Sequence, residues 1–162
     1  MNTLEAISTK RSVRTFTGEP VPEETILQIL DAGRHAQSSK NEQPWTLLLV
    51  QGKERLKAVS ECGAYAGHIA GADFAVILVD HSNWSFDIGQ AAAYLQLAAW
   101  DLGVSSCIAY FGDQDKLKNL FGIPAETNAE IGISFGYSAE EPRRPSKSGR
   151  KPLEEILKRE HW

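Results

Sequence analysis

The chain has 162 residues, a mass of 17.8 kDa and a net charge of −4, a length that fits one domain. Its 42% hydrophobic and 23% charged content excludes a disordered tail protein or a fibrous repeat. The acidic balance argues against a general nucleic-acid binder. No apolar stretch reaches the roughly 18 residues that a membrane span needs. The first residues also lack the apolar run of a signal peptide. Two cysteines, Cys62 and Cys107, form no CxxC pair, so the chain reads as reduced and cytoplasmic.

In chain order, Asn2 with Glu5 three residues later predicts a short capped helix over 3–10. A basic turn, Lys10 to Arg14, follows. Pro22, Glu23 and Glu24 open a second helix over 22–36, with Ile26, Ile29, Leu30 and Gly33 on one face. Gln37 to Pro44 is a polar loop. It leads into a buried strand over 46–50, then a helix over 53–62. Gly63 to Gly71 is rich in Gly and Ala and receives no assignment. A second buried strand covers 74–79. The longest helix, 86–102, carries Ile88, Ala91, Ala92, Leu95, Ala98 and Leu102 on one stripe, and its alanines allow close approach of another helix. A third strand covers 104–110. A helix capped by Asp113 runs to Phe121 with Gly122 behind it, and a fourth strand covers 131–137. The tail, 138–162, is polar and basic, with a short amphipathic helix from Pro152. Continuous apolar strands imply cover on both faces, hence a three-layer α/β/α or α+β sandwich. The tail has no core of its own, so it reads as either disordered or wrapped on something, with a partner subunit the natural candidate.

Common catalytic signatures are absent. The four histidines show no metal spacing, and there is no GxGxxG, GxxxxGK[ST] or GxSxG loop. Cys107 lies in an apolar strand and reads as a core residue. Carboxylate pairs stand at helix starts, where the dipole explains them. Two basic clusters remain: Lys10, Arg11 and Arg14 around Ser12, and residues 143–151. Arginine forks and serine hydroxyls match phosphate oxygens, so the clusters read as an anion site or equally as solvated surface charge. The polar loop reads first as an ordinary turn and second as a surface that hydrogen-bonds a planar polar ligand.

Several segments carry a resemblance. Arg11-Ser12-Val13-Arg14-Thr15-Phe16 resembles the RSxRxF opening of the nitroreductase family, and Ser38 to Trp45 resembles that family's SSxNxQPW loop. Asp87 to Ala91 and Leu102 to Cys107 resemble its central helix and GxxSC strand. Phe121 to Pro124, Phe135 to Glu140 and Arg150 to Glu155 resemble its LGIP, LGYPAE and RRPLEE segments. Order and spacing hold over nearly the whole chain.

The resemblance implies one domain over 1–162 with an α+β, three-layer fold. It implies an intertwined homodimer that exchanges residues 138–162, with FMN at the interface. Carried over by position, Lys10, Arg11 and Ser12 hold the phosphate and ribityl chain. Arg14 stands at the ribityl and pyrimidine side and tunes the flavin. Arg150, with Ser148 or Lys147, completes the phosphate site. Ser38, Ser39 and Asn41 come from the partner, and the backbone at Tyr110 and Phe111 approaches flavin N5. The implied activity is ping-pong hydride transfer from NAD(P)H to a nitroaromatic, a quinone or a related small-molecule acceptor. A flavin carrier with little turnover, or other flavin chemistry on this fold, is the alternative. Gln37, Lys10 and Ala72-Asp73 depart from the family pattern, where proline, arginine and Ala-Pro are common. Residues 52–72 are short, leaving Tyr65, His68 and Trp162 as candidates to shield the flavin.

Overall fold

The computed structural model describes residues 1–82, 84–142 and 149–162. Its elements are α1 (Thr3–Thr9), α2 (Glu23–Arg34), β1 (Trp45–Gln51), α3 (Lys53–Ser60), β2 (Phe74–Asp80), α4 (Ser85–Asp101), β3 (Ser105–Tyr110), α5 (Gln114–Phe121), β4 (Asn128–Gly136) and α6 (Leu153–Ile156). The expected helices and strands are present, with ends shifted by a few residues. The unassigned stretch 63–71 closes in a 3₁₀ turn over Gly67–Gly71. The fourth strand starts earlier than its apolar pattern. Asn128 pairs with Asp80 beyond an irregularity in the β2 register, so backbone pairing outruns the hydrophobic run.

The strands form one antiparallel sheet in the order β1-β2-β4-β3. Every residue of β2 is buried. Successive side chains of a strand point to opposite faces, so a strand buried throughout must be covered twice. Phe74, Val76 and Leu78 join Ile26 and Ile29 of α2 and Ala91, Ala92 and Leu95 of α4. Ala75, Ile77 and Val79 join Leu56 and Val59 of α3, Ile69 of the 3₁₀ turn and Leu117 of α5. Those two apolar clusters make the layers.

Close contacts depend on glycine. A Cβ on Gly33 would stand 2.5 Å from Leu95 Cδ2, so α2 meets α4 where the side chain is missing. A Cβ on Gly132 would strike the Phe111 ring at 2.5 Å, so that ring packs directly on the sheet where the side chain is missing. Phe74 and Phe135 stack on the opposite face at 4.7 Å. Asp73 accepts the Val21 N–H at 2.9 Å, a bond between segments that a proline in the family pattern could not supply.

Candidate functional site

The basic N-terminal turn is held against the sheet on both sides of Arg14. Val13 donates its N–H to the Ser106 carbonyl at 3.0 Å, and Ser12 bridges Ser106 in parallel. Further on, Thr17 donates to Tyr137 O at 2.9 Å and Ala139 donates to Thr15 O at 3.0 Å. Lys10, the C-cap of α1, is half-buried, and desolvation lowers its ammonium pKa against a smaller upward pull from Cys107. Arg11 donates to the Ser8 and Lys10 carbonyls at 2.9 and 2.7 Å, so it also serves the open end of α1.

Beneath this turn lies Cys107 of β3. Burial pushes its thiol pKa up, while Arg14, Lys10 and a hydrogen bond from Ser12 pull it back. The three sequence candidates therefore converge on one spot. Ser134 of β4 pairs with Cys107 and donates its hydroxyl to the Cys107 carbonyl at 3.3 Å. His68 closes the group, with Nδ1 2.8 Å from Ser134 Oγ. Its Nε2 is buried and has no hydrogen-bond partner. Burial lowers the pKa of the ring, which also faces the charge of Arg14 and the Ile108 backbone. Two exposed residues with cationic or hydroxyl groups (Arg14, Ser12) and a half-buried lysine fit an anionic, hydrogen-bonding cofactor such as FMN.

The second candidate group is elsewhere in the same chain. Ser39 donates its N–H to Asp87 Oδ2 at 3.1 Å, and Gln43 donates its N–H to Ser38 Oγ at 2.9 Å. Lys40, Asn41 and Gln43 have φ of 50°, 59° and 49°, a left-handed backbone that non-glycine residues adopt only where surroundings enforce it. Asp87 is 4% exposed and sits in the first turn of α4. The basic turn meets the other end of α4, where Trp100 Nε1 donates to Thr9 Oγ1 at 3.0 Å. Asp87 and Trp100 are separated by about 20 Å at 1.5 Å per helical residue. One chain therefore does not bring Ser38, Ser39 and Asn41 to Lys10, Ser12 and Arg14.

At the end of β3, Phe111 is fully buried and donates its N–H to Glu130 O at 2.7 Å. Alternation from Ser106, whose carbonyl faces the N-terminal segment, turns the Tyr110 peptide N–H toward the open edge. Gly63 closes over this point: a Cβ there would lie 2.2 Å from the Tyr110 carbonyl oxygen. Arg150 is exposed in the tail, and Ser148 and Lys147 lie outside the described residues. Tyr65 and Trp162 are also exposed.

Sequence reasoning missed three features. Asp87 enters the sequence reading only as part of a motif, although an acid at the buried register of an apolar helix is itself a signal. The pairing of His68 with Ser134 spans two elements and has no local signature. A cavity of about 310 Å³ opens between α4 and the sheet, lined by Ile88, Gly89, Ala92, Ala93, Ile108 and Ile131 among others. No group of three or more metal-ligating side chains occurs among the described residues.

The nitroreductase family model matches residues 7–79 and 69–137. A Methanothermobacter thermautotrophicus protein, named for NADH dehydrogenase and NAD(P)H nitroreductase activity, is 33% identical over 153 residues. The match covers 88% of this chain and 80% of that protein. Among solved structures, an FMN-dependent nitroreductase of Clostridium difficile superposes with a TM-score of 0.89 at 24% identity, over 99% of this chain and all of that one. A nitroreductase of Desulfovibrio desulfuricans, solved in complex with FMN, superposes with a TM-score of 0.83 at 26% identity, over 100% of this chain and 99% of that one. The family model alone spans most of the chain, and the basic turn, polar loop and central helix all fall inside it, so this protein belongs to the nitroreductase family.

Proposed function

We propose that this chain is an FMN-dependent NAD(P)H oxidoreductase that works as a homodimer. The observation that carries the reading is the convergence of Lys10, Ser12 and Arg14 on one spot above Cys107 of β3. Relatives named for NAD(P)H nitroreductase and FMN reductase activity support it, as does the FMN complex of the Desulfovibrio neighbour. FMN, when bound, supplies two-electron hydride chemistry that no side chain has.

The residues divide the work. Lys10, Ser12 and Arg11 neutralise and hydrogen-bond the phosphate and ribityl chain, with Arg150 and Ser148 completing that end. Arg14 places its guanidinium at the pyrimidine side, where negative charge grows on reduction. The open Tyr110 N–H, beside Phe111, faces the N5 edge. Ser38, Ser39 and Asn41 reach the cofactor from the partner, which answers their distance from the basic turn in one chain. The nicotinamide donor and the acceptor, a nitroaromatic or quinone, occupy one face in turn, giving ping-pong kinetics.

Exposed apolar surface supports the homodimer. Phe86, Gly89 and Ala93 form an open face on α4, and Ile108 and Tyr110 stand 44% and 54% exposed on β3. Leu153, Ile156 and Trp162 of the tail are exposed too, which suits exchange of residues 138–162 with the partner. The test is a visible spectrum of purified protein with identification of the released flavin, followed by NADH and NADPH oxidation with a quinone. Released FMN and steady turnover are expected. FMN without turnover would favour a flavin carrier, and an inability to bind FMN would overturn the reading.

A further inference from the structure

The turn between α3 and the 3₁₀ helix is fixed at several points. Asp113 donates its N–H to the Cys62 carbonyl at 3.0 Å, which ties the turn to the segment that follows β3. Gly63 lies so close to the Tyr110 carbonyl oxygen that a Cβ there would stand 2.2 Å away. Ala66 donates its N–H to the Gly63 carbonyl at 3.0 Å and closes the turn. Cys62, Ala66 and Ile69 are buried in the layer of α3 and α5. Just beyond the turn, His68 is held 2.8 Å from Ser134 Oγ and faces the charge of Arg14.

Tyr65 is the large side chain of this turn, and it is 85% exposed. A single exposed aromatic residue is ordinary by itself. The place of this one is not. The backbone before it is anchored on the peptide of Tyr110 and Phe111, and the backbone after it leads to the residue that Arg14 faces. Those are the two points assigned above to the N5 edge and the pyrimidine side of FMN. A tyrosine on anchored backbone has only two side-chain torsions to order, so it offers a large flat surface at low entropic cost.

We propose that Tyr65 is a specificity-determining residue of the flavin site, stacking on planar, electron-poor rings. That class holds nitroaromatics, quinones and the nicotinamide of the donor. The inference rests on the FMN reading above. The faces of a phenol ring are electron-rich and its edge is electron-poor. An electron-poor ring laid on such a face gains electrostatic attraction in addition to burial. A compact inorganic oxidant such as ferricyanide has no flat apolar face to offer. Tyr65 therefore acts on ring substrates and not on the transfer of electrons as such. The hydroxyl takes no part in stacking, so phenylalanine should replace tyrosine. Leucine, apolar but without a π-face, should not.

The FMN-loaded protein is compared as wild type, Tyr65→Phe and Tyr65→Leu. Binding of nicotinamide, read from the flavin absorbance, should be alike in the first two and about 3- to 10-fold weaker in Tyr65→Leu. The kcat/KM for benzoquinone should fall by a similar factor in Tyr65→Leu, while that for ferricyanide stays within about twofold. Equal values in all three proteins, or an equal loss for both acceptors, would overturn the role of Tyr65 and leave the cofactor reading standing. A wild type that binds no FMN would overturn both. Position is read without turnover by fluorine NMR of fluorotyrosine-labelled wild type, which has four tyrosines. The signal missing from Tyr65→Phe should shift when FMN binds and again when nicotinamide is added. Failure of that signal to respond to either one would contradict the proposal.

Discussion

Arg14 and Lys40 each carry one positive charge beside a proposed flavin segment, so their replacement changes long-range steering equally. Their surroundings differ. The charge of Arg14 is felt at His68 and Cys107, in the heart of the cationic group. Lys40 is exposed at a left-handed position of the polar loop. A charge-assisted hydrogen bond contributes roughly 1.5–3 kcal/mol, so Arg14→Ala should weaken FMN binding by about 10- to 150-fold. Lys40→Ala leaves the left-handed φ in place and should change binding by about threefold or less. Titration of apo-protein with FMN compares the two directly, and equal small effects would reduce Arg14 to surface charge. At Gly63 the argument is steric. A Cβ at 2.2 Å from the Tyr110 carbonyl oxygen meets backbone that has no rotamer to yield, and Gly63→Ala should destabilise by about 1–3 kcal/mol in urea denaturation. Gly67→Ala, with nothing within 4 Å, is the control and should stay within about 0.5 kcal/mol. His68 adds a pH dependence. Its folded pKa is depressed, so the unfolded chain binds the proton more readily. The apo-protein should therefore hold its full His68 contribution above pH 6.5 and lose it as pH falls toward the folded value, a loss that His68→Gln removes.

The elements of this fold were legible in the sequence where one physical signal governed them. The α4 stripe from Ile88 to Leu95, the Asp113 cap with Gly122 in the left-handed conformation and the apolar run of β2 all report burial or end chemistry that is local. By contrast β1, expected buried, is an edge strand with only Val50 buried, and the expected stripe residues Ala98 and Leu102 are not buried. Legibility stopped where partners are remote. Residues 63–71 are shaped by the approach of Gly63 to Tyr110 and by Ile69 entering the α3 and α5 layer, and neither leaves a periodic pattern. The early start of β4 comes from its pairing with β2. For the site, the identities of Lys10, Ser12 and Arg14 stood out as a basic cluster in an acidic chain. Their common focus at Cys107, and the orphaned Nε2 of His68, required the sheet register. The polar loop read first as an ordinary turn, and its run of left-handed residues shows instead a conformation held from outside. Asp87 holds it through the Ser39 N–H. Asp87→Ala should leave that donor unpaired, destabilise the protein by about 1–3 kcal/mol and increase protease cleavage between residues 38 and 43. Unchanged stability and cleavage would show that the loop keeps its shape by itself.

At the scale of the whole molecule, one chain is an incomplete object. Its sheet is covered on both faces, yet α4 leaves an open side with small residues, the β3 end is bare, and the tail carries exposed leucine, isoleucine and tryptophan. The two proposed halves of the flavin site stand at opposite ends of α4. A second copy resolves each of these features at once, by covering the apolar surface and bringing its polar loop to the basic turn. The most direct measurement of this account is FMN titration of mixed dimers that combine an Arg14→Ala chain with an Asn41→Ala chain. Each variant alone has both sites damaged. If every site takes its basic turn from one chain and its polar loop from the other, the mixed dimer holds one doubly damaged site and one intact site. Half of its sites should then bind FMN with wild-type affinity. A mixed dimer with no site of wild-type affinity, while both parent variants are weakened, would place the whole site within one chain and contradict the account.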